Sequence, residues 1–326
     1  MRTAIVCGLL GALVVALALV TGAATAKPLG VNGQITFARF NPDLGDTQVY
    51  VVNPDGTHER RVQVPPATGG CPTWFADGSH IATCGSFALP YGGSRIINPD
   101  DGTYRDVGGL DPTLFNPCMG PSPDGSRLLC ETFGMNDGSS NGIHTIRASD
   151  GGDLQQVTSN PGGDDVPLDW SPDGKRIVFQ RFDGNGDEGL FVVNTNGTGL
   201  KQILPGPITC CAAGWSPHGN DIVFSMHATP DAHSSIWVVH SDGSGLHRVD
   251  VQPTSACGGL NADPSADGCF NPGWSPDGTK LVFAKGQHGD VDANIYTVNA
   301  DGSGLTQVTH TGGSQSPDWG THPVAR

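Results

Sequence analysis

Two acidic segments of the chain could bind a hard cation, because each places oxygen-bearing side chains at alternate positions. These side chains are Asp183, Asn185 and Asp187 in the first segment, and Asp290, Asp292 and Asn294 in the second. Carboxylate and amide oxygens in a short loop are typical calcium ligands. The same residue types also form tight turns between strands, and neither segment is a complete EF-hand loop. The sequence therefore allows two interpretations, calcium binding and turn formation.

Histidines are the second group of candidate metal ligands. The chain has 11 of them, and the densest group comprises His218, His227, His233 and His240. Imidazole nitrogens that converge on one point could hold a catalytic metal. Isolated histidines in solvent-exposed turns explain the same spacing, and the sequence favours that simpler interpretation.

The first 26 residues have the layout of a cleaved export signal. Arg2 supplies a short positive region, residues 4–20 form an apolar run, and the small residues Ala24 and Ala26 precede the expected cleavage point. Residues 27–326 would then form the mature protein, secreted to the cell exterior or periplasm and without membrane insertion. An apolar run of about 17 residues is at the lower limit for a membrane span, so an uncleaved anchor is the alternative.

The chain is acidic, with 17 Lys and Arg against 32 Asp and Glu and a formal net charge of −15. An acidic surface repels the phosphates of nucleic acid and of anionic lipid, which argues against both as partners. It is compatible with a bound cation, or with solubility alone. We expect the protein to be a monomer.

An internal repeat organises the rest of the chain. Its first signature is WSPDG followed by a short apolar run, as in residues 170–179 (WSPDGKRIVF) and 274–283 (WSPDGTKLVF). Variants begin at Trp74, Pro121 and Trp215. Its second signature is a strand pattern that ends in a glycine turn, found at Gly56, Gly102, Gly151, Gly197, Gly243 and Gly302. All six of these turns are Asp-Gly or Asn-Gly, which are strong hairpin signals because glycine adopts positive φ without strain.

Six copies of this length predict an all-β fold with four short strands per copy, arranged as a propeller or a solenoid. The ends of the chain favour a closed propeller. SQSPDWG places Trp319 where a first strand begins, whereas residues 34–56 supply second and third strands without a first. We therefore expect the C-terminal strand to join the N-terminal blade and remove the exposed edges. The repeated tryptophans should pack between neighbouring blades.

These residues resemble the repeat of the TolB-like, or PD40, β-propeller family over nearly the whole mature chain. The matching segments are WSPDGKRIVF, and strand pairs such as IYTVNADGSGLTQVT from Ile295 and IWVVHSDGSGLHRVD from Ile236. The resemblance implies a six-bladed β-propeller of four-stranded blades. The family includes periplasmic Tol-system proteins, propeller domains of serine peptidases and secreted sugar-active enzymes, so the resemblance does not identify an activity.

Eight cysteines remain after removal of the signal, and an even number in an exported chain is typical of disulfides. In propellers of this kind, the segment that contains Cys71 or Cys118 leads into the innermost strand. Cys84 and Cys130 lie at the end of the next strand, across the hairpin. The expected pairs are Cys71–Cys84, Cys118–Cys130 and, around an insertion, Cys257–Cys269.

Cys210 and Cys211 are then left as neighbours, and a vicinal bridge between them is our expectation. The alternative is a bridge from either of them to the insertion that Cys257 and Cys269 bracket. A vicinal disulfide strains the local backbone, and such strain tends to occur at functional sites. Its position before Trp215 would place it near the mouth of the central channel.

Two functions are compatible with these patterns. The first is a non-catalytic scaffold that binds a protein, a peptide or an envelope component at the channel mouth. The alternative is a secreted metal-dependent enzyme of lyase or lactonase type, acting on a saccharide or lactone with a metal in the channel. Convergent histidines and carboxylates on the inner strands would favour the enzyme, and a shallow, mixed polar surface would favour the scaffold.

N-terminal sequencing of the exported protein should begin at Lys27, because cleavage is expected after the small residue Ala26. A membrane-retained product with an intact N-terminus would contradict this interpretation of the first 26 residues.

Overall fold

The computed structural model is built from β-strands joined by turns. It describes residues 30–41, 43–44, 46–62, 70–84, 91–109, 111–182, 188–205, 212–227, 234–253, 256–257, 267–286 and 292–325. The regular elements within these ranges are 24 strands, so the all-β prediction is confirmed. The same ranges contain no helix with the length and apolarity that a membrane span requires.

Four of the sheets contain four strands each. The first, in spatial order, is β24 (Ser314–Trp319), β1 (Ile35–Asn41), β2 (Asp46–Val52) and β3 (Arg60–Arg61). The second is β12 (Asp164–Trp170), β13 (Arg176–Phe182), β14 (Glu188–Asn194) and β15 (Lys201–Pro205). The third is β16 (Ala213–Trp215), β17 (Asp221–His227), β18 (Ser234–His240) and β19 (His247–Arg248). The fourth is β20 (Gly268–Trp274), β21 (Lys280–Gly286), β22 (Asn294–Asn299) and β23 (Thr306–Gln307).

The fifth sheet has eight strands, because a short parallel contact joins two groups of four. The groups are β4 (Gly70–Trp74), β5 (Ile81–Cys84), β6 (Gly92–Ile97), β7 (Tyr104–Val107), and β8 (Leu114–Pro121), β9 (Arg127–Gly134), β10 (Gly142–Arg147), β11 (Gln155–Gln156). Gly92 and Gly93 pair in parallel with Asn116 and Pro117. A Cβ on Gly92, whose φ is +97°, would lie 2.6 Å from the carbonyl carbon of Asn116, so the approach requires glycine. The repeat pattern did not predict this link.

The Pro-Asp-Gly turn between the first two strands of a four-strand group is closed by contacts within the turn itself. In residues 170–176, Asp173 Oδ1 accepts hydrogen bonds from the Ser171 hydroxyl (2.6 Å) and the Lys175 N–H (3.1 Å). Gly174 has a φ of +66°, which glycine adopts without steric cost. The aspartate of this turn therefore acts as a turn former.

The repeat tryptophan packs between neighbouring sheets. Trp170 lies in a buried cluster with Leu129 and Ile143 of the preceding sheet and with Ile177 of its own sheet. Its indole Nε1 donates a 3.0 Å hydrogen bond to the backbone oxygen of Gly120. One side chain therefore buries apolar surface from two sheets and also bonds to the backbone of the neighbour.

The C-terminal strand pairs with the N-terminal sheet. β24 and β1 are antiparallel, with Trp319 opposite Ile35 and Ser314 opposite Arg39. The Trp319 indole Nε1 donates a 2.9 Å hydrogen bond to the backbone oxygen of Gly33. The two ends of the described chain therefore share one sheet.

The segments that flank these two strands reach neighbouring sheets. Before β1, Asn32 Nδ2 donates to Asp277 Oδ2 (2.9 Å), and the Asp277 N–H donates to Asn32 Oδ1 (3.1 Å). After β24, the His322 ring stacks on Trp74 with ring centroids 5.1 Å apart, and its Nδ1 lies 2.9 Å from the backbone oxygen of Gly78. The terminal segments thus tie the first sheet to a different neighbour on each side.

Three disulfides are present, two of them between adjacent antiparallel strands and one between β20 and a residue outside the strands. They are Cys71–Cys84 between β4 and β5, Cys118–Cys130 between β8 and β9, and Cys257–Cys269 at the start of β20. Their Cα–Cα separations are 5.3, 3.9 and 5.2 Å. Cys210 and Cys211 lie outside the described residues, so the vicinal bridge stays a prediction.

Replacing Trp319 by alanine should lower the free energy of unfolding by about 3–5 kcal/mol, the range for large-to-small core substitutions. Trp319 is 3% exposed and packs with Phe37 of its own sheet and Ile295 of the neighbouring sheet. Urea or thermal unfolding would measure the loss, with Phe40→Ala, at a side chain 53% exposed, as the control. Equal stability of wild type and Trp319→Ala would contradict the role of this strand.

Candidate binding channel

One strand from each group of four lines a common cavity of about 430 Å³, which we call the channel. These six inner strands are β4, β8, β12, β16, β20 and β24. Each contacts the next in this order, and β24 also contacts β4. Apart from the short β6–β8 link, each inner strand is hydrogen-bonded to one neighbouring strand, so its other edge faces the channel.

Prolines dominate the rim of the channel, which we call the mouth. The third residue of each repeat signature lines the cavity at this rim: Ala76, Pro123, Pro172, Pro217, Pro276 and, in the C-terminal copy, Thr321. Proline fixes its own φ, and the turn that follows is closed by hydrogen bonds, so the mouth is a rigid and largely apolar surface.

A second set of prolines lines the wall of the channel. Five inner strands contribute Pro72, Pro117, Pro167, Pro272 and Pro317, and β8 adds Pro121 at its end. Proline has no backbone N–H, and within a sheet it is confined largely to strand edges. The proline rings therefore contribute rigid apolar surface to the wall at these points.

Two aspartates that directly precede a repeat tryptophan also line the channel. Asp169 accepts hydrogen bonds from the Trp170 N–H (2.8 Å) and from the Trp215 N–H of the next inner strand (2.7 Å). Asp318 accepts a 2.7 Å hydrogen bond from the Trp74 N–H of its own neighbouring strand. Each carboxylate therefore connects two inner strands and is held in place by charge-assisted hydrogen bonds.

Glu131 of β9 is the third acidic residue that lines the channel. Burial, followed by the charge and hydrogen bonding of Asp164, raises the pKa of Glu131 to about 8. Burial also raises the pKa of Asp164. The neighbouring Asp165 is fully buried and forms a two-point ion pair with Arg181, with both N–O distances 2.7 Å. Glu131 therefore holds a proton at neutral pH, beside a fixed ion pair.

Negative charge surrounds the mouth, because Asp124, Asp173 and Asp277 directly follow the rim prolines. Burial acts to raise the pKa of each aspartate, but hydrogen bonds from side-chain hydroxyls and backbone N–H groups outweigh it and lower the pKa. These turn aspartates are therefore ionised at neutral pH, and they give the mouth a negative potential.

Most of the predicted calcium ligands lie outside the described residues, namely Asp183, Asn185, Asp187 and Asp290. Asn294 is described, and its Oδ1 accepts hydrogen bonds from the Thr309 hydroxyl (3.2 Å) and the Gly312 N–H (3.1 Å). Asn294 thus stabilises the turn between β23 and β24. The described residues contain no group of three or more His, Cys, Asp or Glu that could hold a metal ion. Asp292 is described but belongs to no such group. Calcium binding by the two segments stays a prediction.

The side chains of His218 and His240 are described, and neither lines the channel, whereas the side chain of His227 lies outside the described part of the structure. His218 lies in the turn after Trp215, where its ring covers Gly278 of the next sheet. His240 Nδ1 lies 2.6 Å from Asp221 Oδ1. His233 is outside the described residues. His218 and His240 are therefore close in the sequence, but the structure does not bring them together at one site in the channel.

The comparisons with known proteins concern the whole fold. No protein-family model and no curated protein matches the chain. Among solved structures, TolB from Acinetobacter baumannii has 18% identity and a TM-score of 0.66, and the match covers 88% of this chain and 66% of that TolB. A putative TolB from Agrobacterium tumefaciens has 20% identity and a TM-score of 0.63, with 88% and 92% covered. A chain of a nidogen/laminin complex has 9% identity and a TM-score of 0.62, with 89% and 100% covered.

These similarities show that the chain has a β-propeller fold of the TolB kind. Sequence identities of 20% or less show a shared fold but not a shared function, because one fold hosts many functions.

Glu131→Gln should change how stability depends on pH. Glu131 has a pKa of about 8 in the folded protein against an ordinary value of 4.5, so the folded state binds more protons in this window. The stabilisation is fully present below pH 4.5 and is lost as the pH rises towards about 8. Because glutamine stays neutral, the Tm of the variant should rise relative to wild type across this window. Asp43→Asn, at an exposed acid, is the control, and parallel Tm curves for Glu131→Gln and wild type would contradict the prediction.

Proposed function

We propose that this protein is an extracytoplasmic, non-catalytic β-propeller that binds a protein or peptide segment at the mouth of its channel. The observation that carries the proposal is the proline-lined, largely apolar cavity of about 430 Å³ to which all six inner strands contribute. Ligand sites are typically concave, mostly apolar and about 300–1,000 Å³ in volume, with a few fixed polar groups. Asp169 and Asp318 are fixed polar groups of this kind.

We also propose that the groups of four strands are six blades of a closed ring. The order of contacts among the inner strands, and the pairing of β24 with β1, support this arrangement. A closed ring would hold the rim residues at fixed separations. Such a mouth is preorganised, and binding to it costs little conformational entropy in the protein.

The location and the class of partner rest on separate observations. Three disulfides support an extracytoplasmic location, because such bridges persist in oxidising compartments. The acidic composition favours a protein or peptide over nucleic acid. One structural neighbour is a chain of a nidogen/laminin complex, so a propeller of this size can assemble with another protein. We propose a monomer in the absence of the partner.

The alternative is a secreted metal-dependent lyase or lactonase, which needs metal ligands or an acid–base pair in the channel. The described lining residues include three acids but no histidine, and their cysteines are Cys71 and Cys84, which form a disulfide. Two of the acids, Asp169 and Asp318, accept backbone N–H groups. The described channel therefore supports binding better than catalysis.

A blocked mouth should weaken the binding of peptides selected against the protein from a random display library. Ala76→Trp would place a large ring in the rim, whereas Ser79→Trp adds the same ring to an exposed position of the same turn. Fluorescence anisotropy should show affinity at least about tenfold weaker for Ala76→Trp and unchanged for Ser79→Trp. Equal binding to both variants and to wild type would contradict a site at the mouth.

A further inference from the structure

A second cavity, of about 330 Å³, lies between the β8–β11 group and the β12–β15 sheet. We call it the junction cleft. The β8–β11 group contributes Asp124 and Arg127 to its lining, and the β12–β15 sheet contributes Trp170 and Thr195. Trp170 also lines the channel, so the junction cleft adjoins the channel but is separate from it.

The same place at the next junction, between the β12–β15 and β16–β19 sheets, is filled by a side chain of the protein itself. The guanidinium carbon of Arg176 lies 4.7 Å from the centroid of the Trp215 ring. Nη1 of the same arginine donates a 3.1 Å hydrogen bond to the Ser241 hydroxyl. One guanidinium therefore contacts an indole and a hydroxyl of the next sheet at the same time. These three residues stand where the repeat has, one junction earlier, Arg127, Trp170 and Thr195.

Arg127 makes its contacts within its own group of strands instead. Its Nε donates to the Thr145 hydroxyl (2.8 Å), and its Nη1 donates to a carboxylate oxygen of Asp153 (2.8 Å). Its Nη2 donates to the backbone oxygen of Asp153 (2.6 Å). These bonds hold the guanidinium against its own group, and the cleft that Trp170 lines stays open.

Asp153, which holds Arg127, departs from the repeat. Three other copies have glycine at this position, with φ of +68°, +68° and +69° at Gly199, Gly245 and Gly304. Asp153 has a φ of +54°, a region that glycine adopts without strain and other residues adopt at a cost. Strained residues of this kind are concentrated at functional sites. The copy with the open cleft is thus the one with a strained acid in place of this glycine.

The charge of the junction cleft favours a cation. The charged side chains of its described lining are Asp124 and Arg127, and Arg127 is paired with Asp153. Asp124 is ionised, and its Oδ1 accepts hydrogen bonds from Ser122 and Ser126. Its Oδ2 accepts none from the described residues. Two carboxylates and one guanidinium leave one negative charge uncompensated.

From these observations we infer that the junction cleft binds an arginine side chain of a partner protein, whose guanidinium lies against Trp170 and Thr195 as that of Arg176 lies at the next junction. The inference goes beyond the proposed function, because the cleft lies outside the channel. The Thr195 hydroxyl accepts an N–H of the guanidinium, the indole attracts its charge, and Asp124 compensates that charge. A planar guanidinium stacks on an aromatic ring better than an ammonium does.

The test is an NMR titration of the isotopically labelled protein with Nα-acetyl-arginine methylamide. The reporter is the indole N–H of Trp170, which is hydrogen-bonded to Gly120. The matched compounds are the citrulline analogue, which has the same shape without the charge, and the lysine analogue. The arginine compound should bind at least about tenfold more tightly than either. Its affinity should fall as NaCl is raised, since salt screens the charges.

The decisive variants open and close the cleft. Asp153→Gly should weaken binding at least about tenfold, because Arg127 is released to cover Trp170. Adding Arg127→Ala to Asp153→Gly should restore the binding, because the side chain that closes the cleft is gone. Asp150→Asn, at an exposed acid of the same turn, changes the net charge as Asp153→Gly does and should bind like wild type.

A gain of binding provides an independent readout. Arg176→Ala uncovers Trp215, so a second guanidinium should bind at that junction and shift the indole N–H of Trp215 as well as that of Trp170. A variant that still binds at Trp170 alone would contradict the equivalence of the two junctions, on which the inference rests.

The remaining outcomes are as sharp. Equal binding of the three compounds, unchanged binding to Asp153→Gly, or a loss that Arg127→Ala does not reverse would overturn the inference. Free arginine that bound at least about tenfold more tightly than the blocked compound would make the ligand an amino acid and not a partner's side chain. Ala76→Trp blocks the channel mouth and should leave this binding unchanged. The two proposals can therefore fail separately, and loss of arginine binding in Ala76→Trp would overturn a site in the junction cleft.

Discussion

Each inner strand of this propeller is hydrogen-bonded mainly on one side, and its unpaired edge constrains the rest of the structure. Unpaired strand edges invite pairing with other strands, and proteins protect them with proline, charge or closure. Here five of the six inner strands carry a proline that lines the channel, and Asp169 and Asp318 accept hydrogen bonds from the N–H groups of Trp215 and Trp74 on the next inner strands. The prolines and aspartates that protect the strand edges also line the channel. Stability of the inner strands and the binding chemistry of the channel therefore have one cause.

The sequence was sufficient to predict the strands and turns, because their causes are local. Asp173 and Gly174 close their turn with contacts only a few residues away. A tryptophan stands at the position of Trp170 in most copies of the repeat, so its packing between sheets could be expected. The β6–β8 link could not be predicted, because it depends on Gly92 and Gly93 approaching a strand that belongs to the next copy of the repeat.

The channel was harder to foresee than the fold, for a reason that lies in the backbone. Lining prolines occur two residues before the end of the inner strand at Pro72, three at Pro167 and four at Pro117. The register between the first two strands of these groups shifts near these residues, and such shifts change which residue faces the cavity. Asp169 and Asp318 likewise stand at a position that the other copies fill with Thr or Gly. A pattern averaged over six copies therefore hides the residues that give the channel its chemistry. The disulfides were easier to foresee, since each joins residues close in the sequence.

A crystal structure of the protein with a peptide selected against it from a random display library tests most directly whether the channel mouth binds a peptide segment. The peptide should lie in the cavity, with apolar side chains against the rim prolines Pro172, Pro217 and Pro276. A peptide that binds among the loops away from the channel would contradict a site at the mouth.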